Sequence, residues 1–143
     1  NDEKVLPHVF EISMGIDRSL YTILEHSLKN DEEHERMVLS LKPYLSPVHV
    51  GILSLVKKDG LKEKTDEIFL NIKRKYDAFL DHSGAIGRRY RRLDEIGAPF
   101  AITVDHQTLE DNTVTIRKRD SMEQSRVEIS KIDSILFDSV GFP

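Results

Sequence analysis

The stretch from Val48 to Val56 constrains this chain more than any other: it is an almost unbroken apolar run, with Gly51 inside it and Pro43 and Pro47 ahead of it. Such a run reads as a strand buried on both faces, and a strand of that kind sits in the middle of a sheet with a layer on each side. The residues that follow supply the layers. Leu61, Ile68, Phe69, Ile72 and Tyr76 fall on one helical face, starting near Asp59 and Gly60, while Lys62, Lys64, Lys73 and Lys75 fall elsewhere. Asp77 to His82 is a short strand candidate. Ser83 is placed to cap a helix whose inner face is Ile86, Tyr90 and Leu93, with Gly97 ending it and Pro99 to Val104 forming a third apolar strand. Strand, helix, strand, helix, strand predicts right-handed crossovers and a largely parallel core, so the fold class is α/β. Alternation then returns in Thr113 to Lys118 and Arg126 to Ile129 around the turn formers Asp120 and Ser121, which predicts an antiparallel hairpin on the sheet edge. Ser130 with Asp133 resembles a capping box before a short final helix.

Upstream the pattern differs. His8 to Ile12 reads as a strand running into a turn at Ser13 and Gly15, followed by a helix from about Ile16 to Leu28 with Asp17 in its first turn. Asn30 to Arg36 is almost wholly charged and reads as a solvated connection. The expected organisation is therefore a strand, turn, helix unit with a linker over residues 1–42 and one α/β domain over 43–143. At 143 residues, 38% of them hydrophobic, one sizeable core plus an extension is the starting expectation. A first residue that is Asn1, directly before an apolar stretch, suggests a piece of a longer chain.

Several function classes fall away on composition. There is no run of about eighteen apolar residues and no leader pattern, so neither a membrane span nor a signal peptide is expected. The absence of cysteine excludes disulfides and thiolate metal sites. Six histidines show no close i, i+4 pair, so no metal site is expected. Neither a nucleophile elbow nor a Walker-type phosphate loop is present.

A net charge of -4 is not that of a typical nucleic-acid binder, but the distribution matters more than the sum. Lys73, Arg74, Lys75, Arg88, Arg89, Arg91 and Arg92 cluster, and Arg117, Lys118 and Arg119 follow in the hairpin. On a helix starting near Ile86, Arg88, Arg91 and Arg92 point away from the Ile86, Tyr90, Leu93 face and form a basic ridge suited to phosphates; a plain solvated helix face is the competing reading. Thr115, Arg117 and Arg119 are expected on the outer face of the hairpin, opposite Val114 and Ile116. There, with Asp120 and Gln124, they offer planar and paired groups to unpaired bases. Near the start, Glu11 at a strand end suits an ammonium group and Arg18 at a helix start suits phosphate.

These residues also carry a resemblance. Pro7-His8-Val9-Phe10-Glu11-Ile12-Ser13-Met14-Gly15-Ile16-Asp17-Arg18 resembles motif 3 of the glycyl-tRNA synthetases, a class II family. Ser83-Gly84-Ala85-Ile86-Gly87-Arg88-Arg89-Tyr90 and Asp94-Glu95-Ile96-Gly97-Ala98-Pro99-Phe100 are similar to the signature of the anticodon-binding domain shared by the glycyl, threonyl, prolyl and histidyl enzymes. Asp111 to Ser121, with Gln124 and Val127, points to the glycyl member.

The resemblance implies that Glu11, Ser13 and Gly15 help bind glycine, and that Gly15, Asp17 and Arg18 meet ATP. Arg88, Arg89, Arg91, Arg92, Arg117, Arg119, Asp120 and Gln124 are the expected tRNA contacts. It implies that the full-length protein is a cytoplasmic homodimer that activates glycine with ATP and Mg2+ and transfers it to tRNA(Gly). Motifs 1 and 2 are absent from these residues, so the fragment is expected to bind tRNA without catalysis or cofactor, and to be monomeric. The alternative is a non-catalytic relative, such as a polymerase accessory or regulatory protein, that keeps the fold as an interaction module.

Overall fold

The computed structural model describes residues 4–56 and 60–141, so Asp59, named above at a helix start, lies outside the described residues. Every residue of the strand Val50–Ser54 is buried, as the apolar run requires. Two short strands precede it, β1 (Leu28–Asp31) and β2 (Arg36–Leu39), which makes it β3. It pairs in parallel with β4 (Ala78–Asp81) on one side and β5 (Phe100–Val104) on the other. After the N-terminal helix α1 (Ile16–Ser27), helix α2 (Leu61–Lys73) links β3 to β4, and α3 (Ile86–Glu95) links β4 to β5. The antiparallel strands β6 (Thr113–Lys118) and β7 (Gln124–Glu128) complete a mixed sheet in the order β4-β3-β5-β6-β7. The α/β class and the C-terminal hairpin are as expected.

The two faces of the sheet are covered differently. Val50, Ile52, Ile102, Val114 and Ile116 pack under α2, which contributes Leu61, Ile68 and Ile72, and under the last helix (Ile132–Val140), which contributes Ile132 and Leu136. Each such side chain stabilises the fold by about 1.5–3 kcal/mol relative to exposure. On the opposite face, Leu53 and Ala101 meet Leu93, Ile86 and Tyr90 of α3. A Cβ on Gly51 would run into the Leu93 side chain, so the glycine in the central strand is what lets α3 lie directly on β3. Gly97 takes φ +84 after α3, and a Cβ there would come within 3.0 Å of the Leu39 carbonyl oxygen, so both backbone conformation and space call for glycine.

The structure corrects several local expectations. His8 to Ile12 forms no strand: Val9 and Phe10 are exposed and no neighbouring strand pairs with them. The charged segment Asn30 to Arg36 is solvated only in its middle: Glu32 to Glu35 are an exposed turn, while β1 and β2 pair antiparallel on either side of it, from Leu28 opposite Leu39 to Asp31 opposite Arg36. Ser83 does not cap α3; its N–H and hydroxyl both go to Asp81 Oδ1, at 2.7 and 2.8 Å, and Ala85 is the residue before the helix. The Ser130 hydroxyl donates to Glu128, and the final helix begins at Ile132 after a 3-10 turn over Ile129–Lys131. One helix was not anticipated. His106–Asp111 (α4, making the final helix α5) is started by a capping box in which Thr108 N–H donates to Asp105 and the Thr108 hydroxyl oxygen accepts from Asp105 N–H.

Candidate nucleic-acid interface

Arg117 and Arg119 of the hairpin are not on the surface. Alternation does set Thr115 and Arg117 opposite Val114 and Ile116, but that face is roofed by α3 at this point. Arg117 Nη1 and Nη2 donate to Asp94 Oδ1 and Oδ2 at 2.9 and 3.0 Å, and its guanidinium lies 5.0 Å from the Tyr90 ring centroid. Arg119 is 2% exposed and donates to the carbonyls of Gly97, Leu41 and Leu39 and to the Asp120 carboxylate. Its Nε–H bond holds the Asp120 carboxyl below its ordinary value. Asp120 is thereby Arg119's counter-ion, and Arg117 and Arg119 are structural cations rather than base-reading groups, because a guanidinium this enclosed has no room for a base.

The same network reaches β2. Arg36 Nη1 donates to Asp94 Oδ2 at 2.9 Å and to the Arg119 carbonyl at 2.9 Å, while its Nε donates to Asp31. Burial opposes the Arg36 charge, and the hydrogen bonds to Asp94 and Asp31 outweigh it, raising the guanidinium pKa above its ordinary value. Asp94, 1% exposed, serves two guanidinium groups from separate elements, Arg36 of β2 and Arg117 of β6. Arg36 carried no signal in the sequence beyond its charge, which the local run of acids concealed.

The helix ridge divides. Arg88 and Arg91 are exposed. Arg89 is buried and donates to the Ser54 carbonyl at 2.6 Å, so it belongs to the junction of α3 with β3. Burial lowers its pKa from the ordinary value. Arg92 forms an ion pair with Asp81. Burial works against the Asp81 carboxylate, and the Ser83 hydrogen bonds with the Arg92 charge outweigh it, holding it below the usual carboxylate range.

Beyond α3 the sheet face opens. Thr103 pairs with Thr115 and Thr115 with Arg126 across the strands, so all three share the face of Arg117, as does Gln124, the partner of Arg117. The Tyr90 hydroxyl is 2.6 Å from Thr103 Oγ1. Arg126 is held flat against the strands by Thr113 and by Asp105, whose Oδ1 accepts its Nη2–H at 2.9 Å. That bond holds Asp105 below its ordinary carboxylate value. Gln124 is exposed and Thr115 and Arg126 are half-buried. Tyr90, which meets both Thr103 and Arg117, walls the open face, and helical spacing puts Gly87, Arg91 and Asp94 on an adjoining stripe of α3. The result is a shallow polar floor beside a cationic edge, suited to unstacked bases and their phosphates. Thr115 was expected on this face from the alternation of β6; Thr103, Asp105 and Arg126 were missed in the sequence, where nothing local joins them to it.

The N-terminal candidates lie elsewhere. Ser13, Gly15 and Arg18 line one shallow cleft at the start of α1, where Gly15 is the residue before the helix and Ser19 N–H donates to its carbonyl at 3.0 Å. Asp17 stands in the first turn. Glu11 does not line that cleft and is exposed. Among the described residues no group of three or more His, Cys, Asp or Glu side chains is arranged to hold a metal ion.

Known proteins decide the family. The family described as anticodon binding domain matches residues 49–137. This chain belongs to the anticodon-binding domain family. The match spans β3 to α5, so the anticodon-binding domain includes the open face of β6 and β7 and the wall of α3. Over 139 residues the chain is 52% identical to the glycine–tRNA ligase of Methanothrix thermoacetophila, covering 95% of this chain and 24% of that protein. It is 50% identical over 137 residues to the glycine–tRNA ligase of Archaeoglobus fulgidus, covering 93% of this chain and 24% of that one. The chain thus spans about a quarter of the length of these relatives. Its fold is similar to the RNA binding domain of threonyl-tRNA synthetase from Cryptosporidium parvum Iowa II, with a TM-score of 0.65 at 22% identity over 73% of this chain and 26% of that one. Prolyl-tRNA synthetase from Cryptosporidium parvum, complexed with L-proline and AMP, gives 0.64 at 23% identity over 71% of this chain and 23% of that one. No described helix is long and apolar enough to cross a membrane.

Proposed function

We propose that this chain is the tRNA-recognising part of a glycine–tRNA ligase, and that its open β6–β7 face, walled by Tyr90 with Gly87 and Arg91 adjoining it, receives the anticodon end of tRNA(Gly). The identity of 52% across 95% of the chain carries this reading. In it, the full-length protein joins glycine to tRNA in the cytoplasm as a homodimer, using ATP with Mg2+ held by groups outside this chain. Glu11, Ser13 and Gly15 contribute to the glycine site, and Gly15, Asp17 and Arg18 to ATP, once the remainder of the enzyme encloses them. Residues 1–42 then belong with the catalytic body by function. An interaction module that had abandoned aminoacylation would have no need of Glu11, Ser13 and Arg18 together, which favours the ligase over the accessory-factor reading.

Phosphates are met by Arg88, Arg91 and the exposed edge of Arg92; bases are read by Gln124, Thr115 and the Arg126–Asp105 pair. Phosphate contacts set register and affinity, and the polar floor sets preference. The test is binding of the purified chain to tRNA carrying a glycine anticodon and to the same tRNA with that anticodon altered. Preference for the first, with no glycine-dependent pyrophosphate exchange by the chain alone, is the expected result. Equal binding to both would remove anticodon reading from this surface.

A further inference from the structure

α1 enters β1 with no linker: Leu28, the residue that closes the helix, is also the first residue of the strand. No residue of α1 is buried, and Leu20, Tyr21, Ile23 and Leu24 are exposed along it. The helix that carries Arg18 is thus attached to the RNA-binding body through the β1–β2 hairpin. The hairpin in turn is fastened by charge. Arg36 on β2 shares Asp94 Oδ2 with Arg117 of β6, and Arg119 holds the carbonyls of Leu39 and Leu41 at the far end of β2. Val38 and Leu41 are the hairpin's buried apolar side chains, so ionic hydrogen bonds with fixed directions take much of the role that a larger apolar contact would have.

We propose that Arg36 is a positioning residue for amino-acid transfer: through Asp94 it fixes the angle between α1, with its Ser13, Gly15 and Arg18 cleft, and the face that holds the anticodon end of tRNA. This rests on the ligase reading above. Asp94 also touches the Arg117 that stacks beneath Tyr90, so the RNA-binding wall and the hairpin are referred to one buried carboxylate. A small rotation at the hairpin displaces the far end of a bound tRNA in proportion to the length of the RNA. Adenylate formation, which involves only glycine and ATP, does not depend on that angle.

The experiment uses the complete ligase carrying this chain, with Arg36→Met and Arg36→Lys. Glycine-dependent pyrophosphate exchange and tRNA affinity should stay within about twofold of the unaltered enzyme, while the rate of transfer to bound tRNA falls about tenfold or more in Arg36→Met, since misplacement on the order of 1 Å costs that much. Arg36→Lys, which keeps the charge but not the fork, should recover part of the loss. Hydrogen exchange should rise in β1 and β2 and stay unchanged in α1, β3 and β5. Unchanged transfer would overturn the proposal. Parallel losses in exchange, affinity and transfer, or opening of the central strands, would overturn it by making Arg36 a general fold residue. If the unaltered complete protein shows no glycine-dependent pyrophosphate exchange, the ligase reading itself fails and the positioning role falls with it.

Discussion

Arg117 of β6 and Asp94 of α3 form a bidentate pair, Nη1 to Oδ1 at 2.9 Å and Nη2 to Oδ2 at 3.0 Å, with both side chains buried. The pair ties the helix that walls the open face to the strand that floors it. Removing the carboxylate leaves both Arg117 and Arg36 without it inside the fold. Asp94→Ala should therefore cost about 3–5 kcal/mol, because an uncompensated buried charge outweighs the loss of the attraction itself. Urea unfolding measures this, and a loss under about 1 kcal/mol would mean that water reaches the site.

Arg119 anchors three carbonyls, so Arg119→Ala should act on stability and not on anticodon choice. The unpaired carbonyls should cost on the order of 1–3 kcal/mol each where water does not replace the guanidinium. Fluorescence anisotropy with glycine-anticodon and altered-anticodon tRNA should show equal changes for both. A selective loss toward the glycine anticodon would return Arg119 to the reading surface.

Exposed cations and the exposed amide should separate affinity from preference. Arg88→Ala and Arg91→Ala should each reduce the log-log salt slope of tRNA binding by roughly 0.7–0.9 without altering preference. Gln124→Ala should cost on the order of 1–3 kcal/mol toward the glycine anticodon and much less toward the altered one. An unchanged salt slope would leave Arg88 and Arg91 as a solvated helix face.

The Asp105–Arg126 pair predicts a pH dependence. Hydrogen bonding from Arg126 lowers the folded carboxyl pKa from its ordinary 3.8. A depressed folded pKa contributes stability that is fully present above the unfolded value and is lost as pH falls through the folded one. The stability difference between the natural chain and Asp105→Asn should thus be constant near neutrality and shrink only below about pH 4. Denaturation followed across pH would show it, and a difference that persisted fully at lower pH would assign the effect to the capping of α4.

Periodicity and punctuation determined the scaffold. Val48 to Val56 and Pro99 to Val104 could be satisfied only as central strands, Ile86, Tyr90 and Leu93 gave α3 its inner face, and Gly97 marked its end, since each signal arises within a few residues of the backbone it shapes. Alternation also assigned Arg117 to the correct side of β6. Whether that side was open or roofed depended on Asp94, twenty-three residues earlier, because a guanidinium is buried only where acceptors meet it, and these came from elsewhere in the chain. Arg36 and Arg119 follow the same rule: beside their local acids Asp31 and Asp120, they have acceptors 58 and 80 residues away, so that they are buried showed only once packing joined them. The sequence by itself determined the layers and the direction of each side chain, which local geometry sets. Only the tertiary structure decided which charged groups are exposed to solvent and which hold the hairpin to the sheet, since burial depends on what packs above.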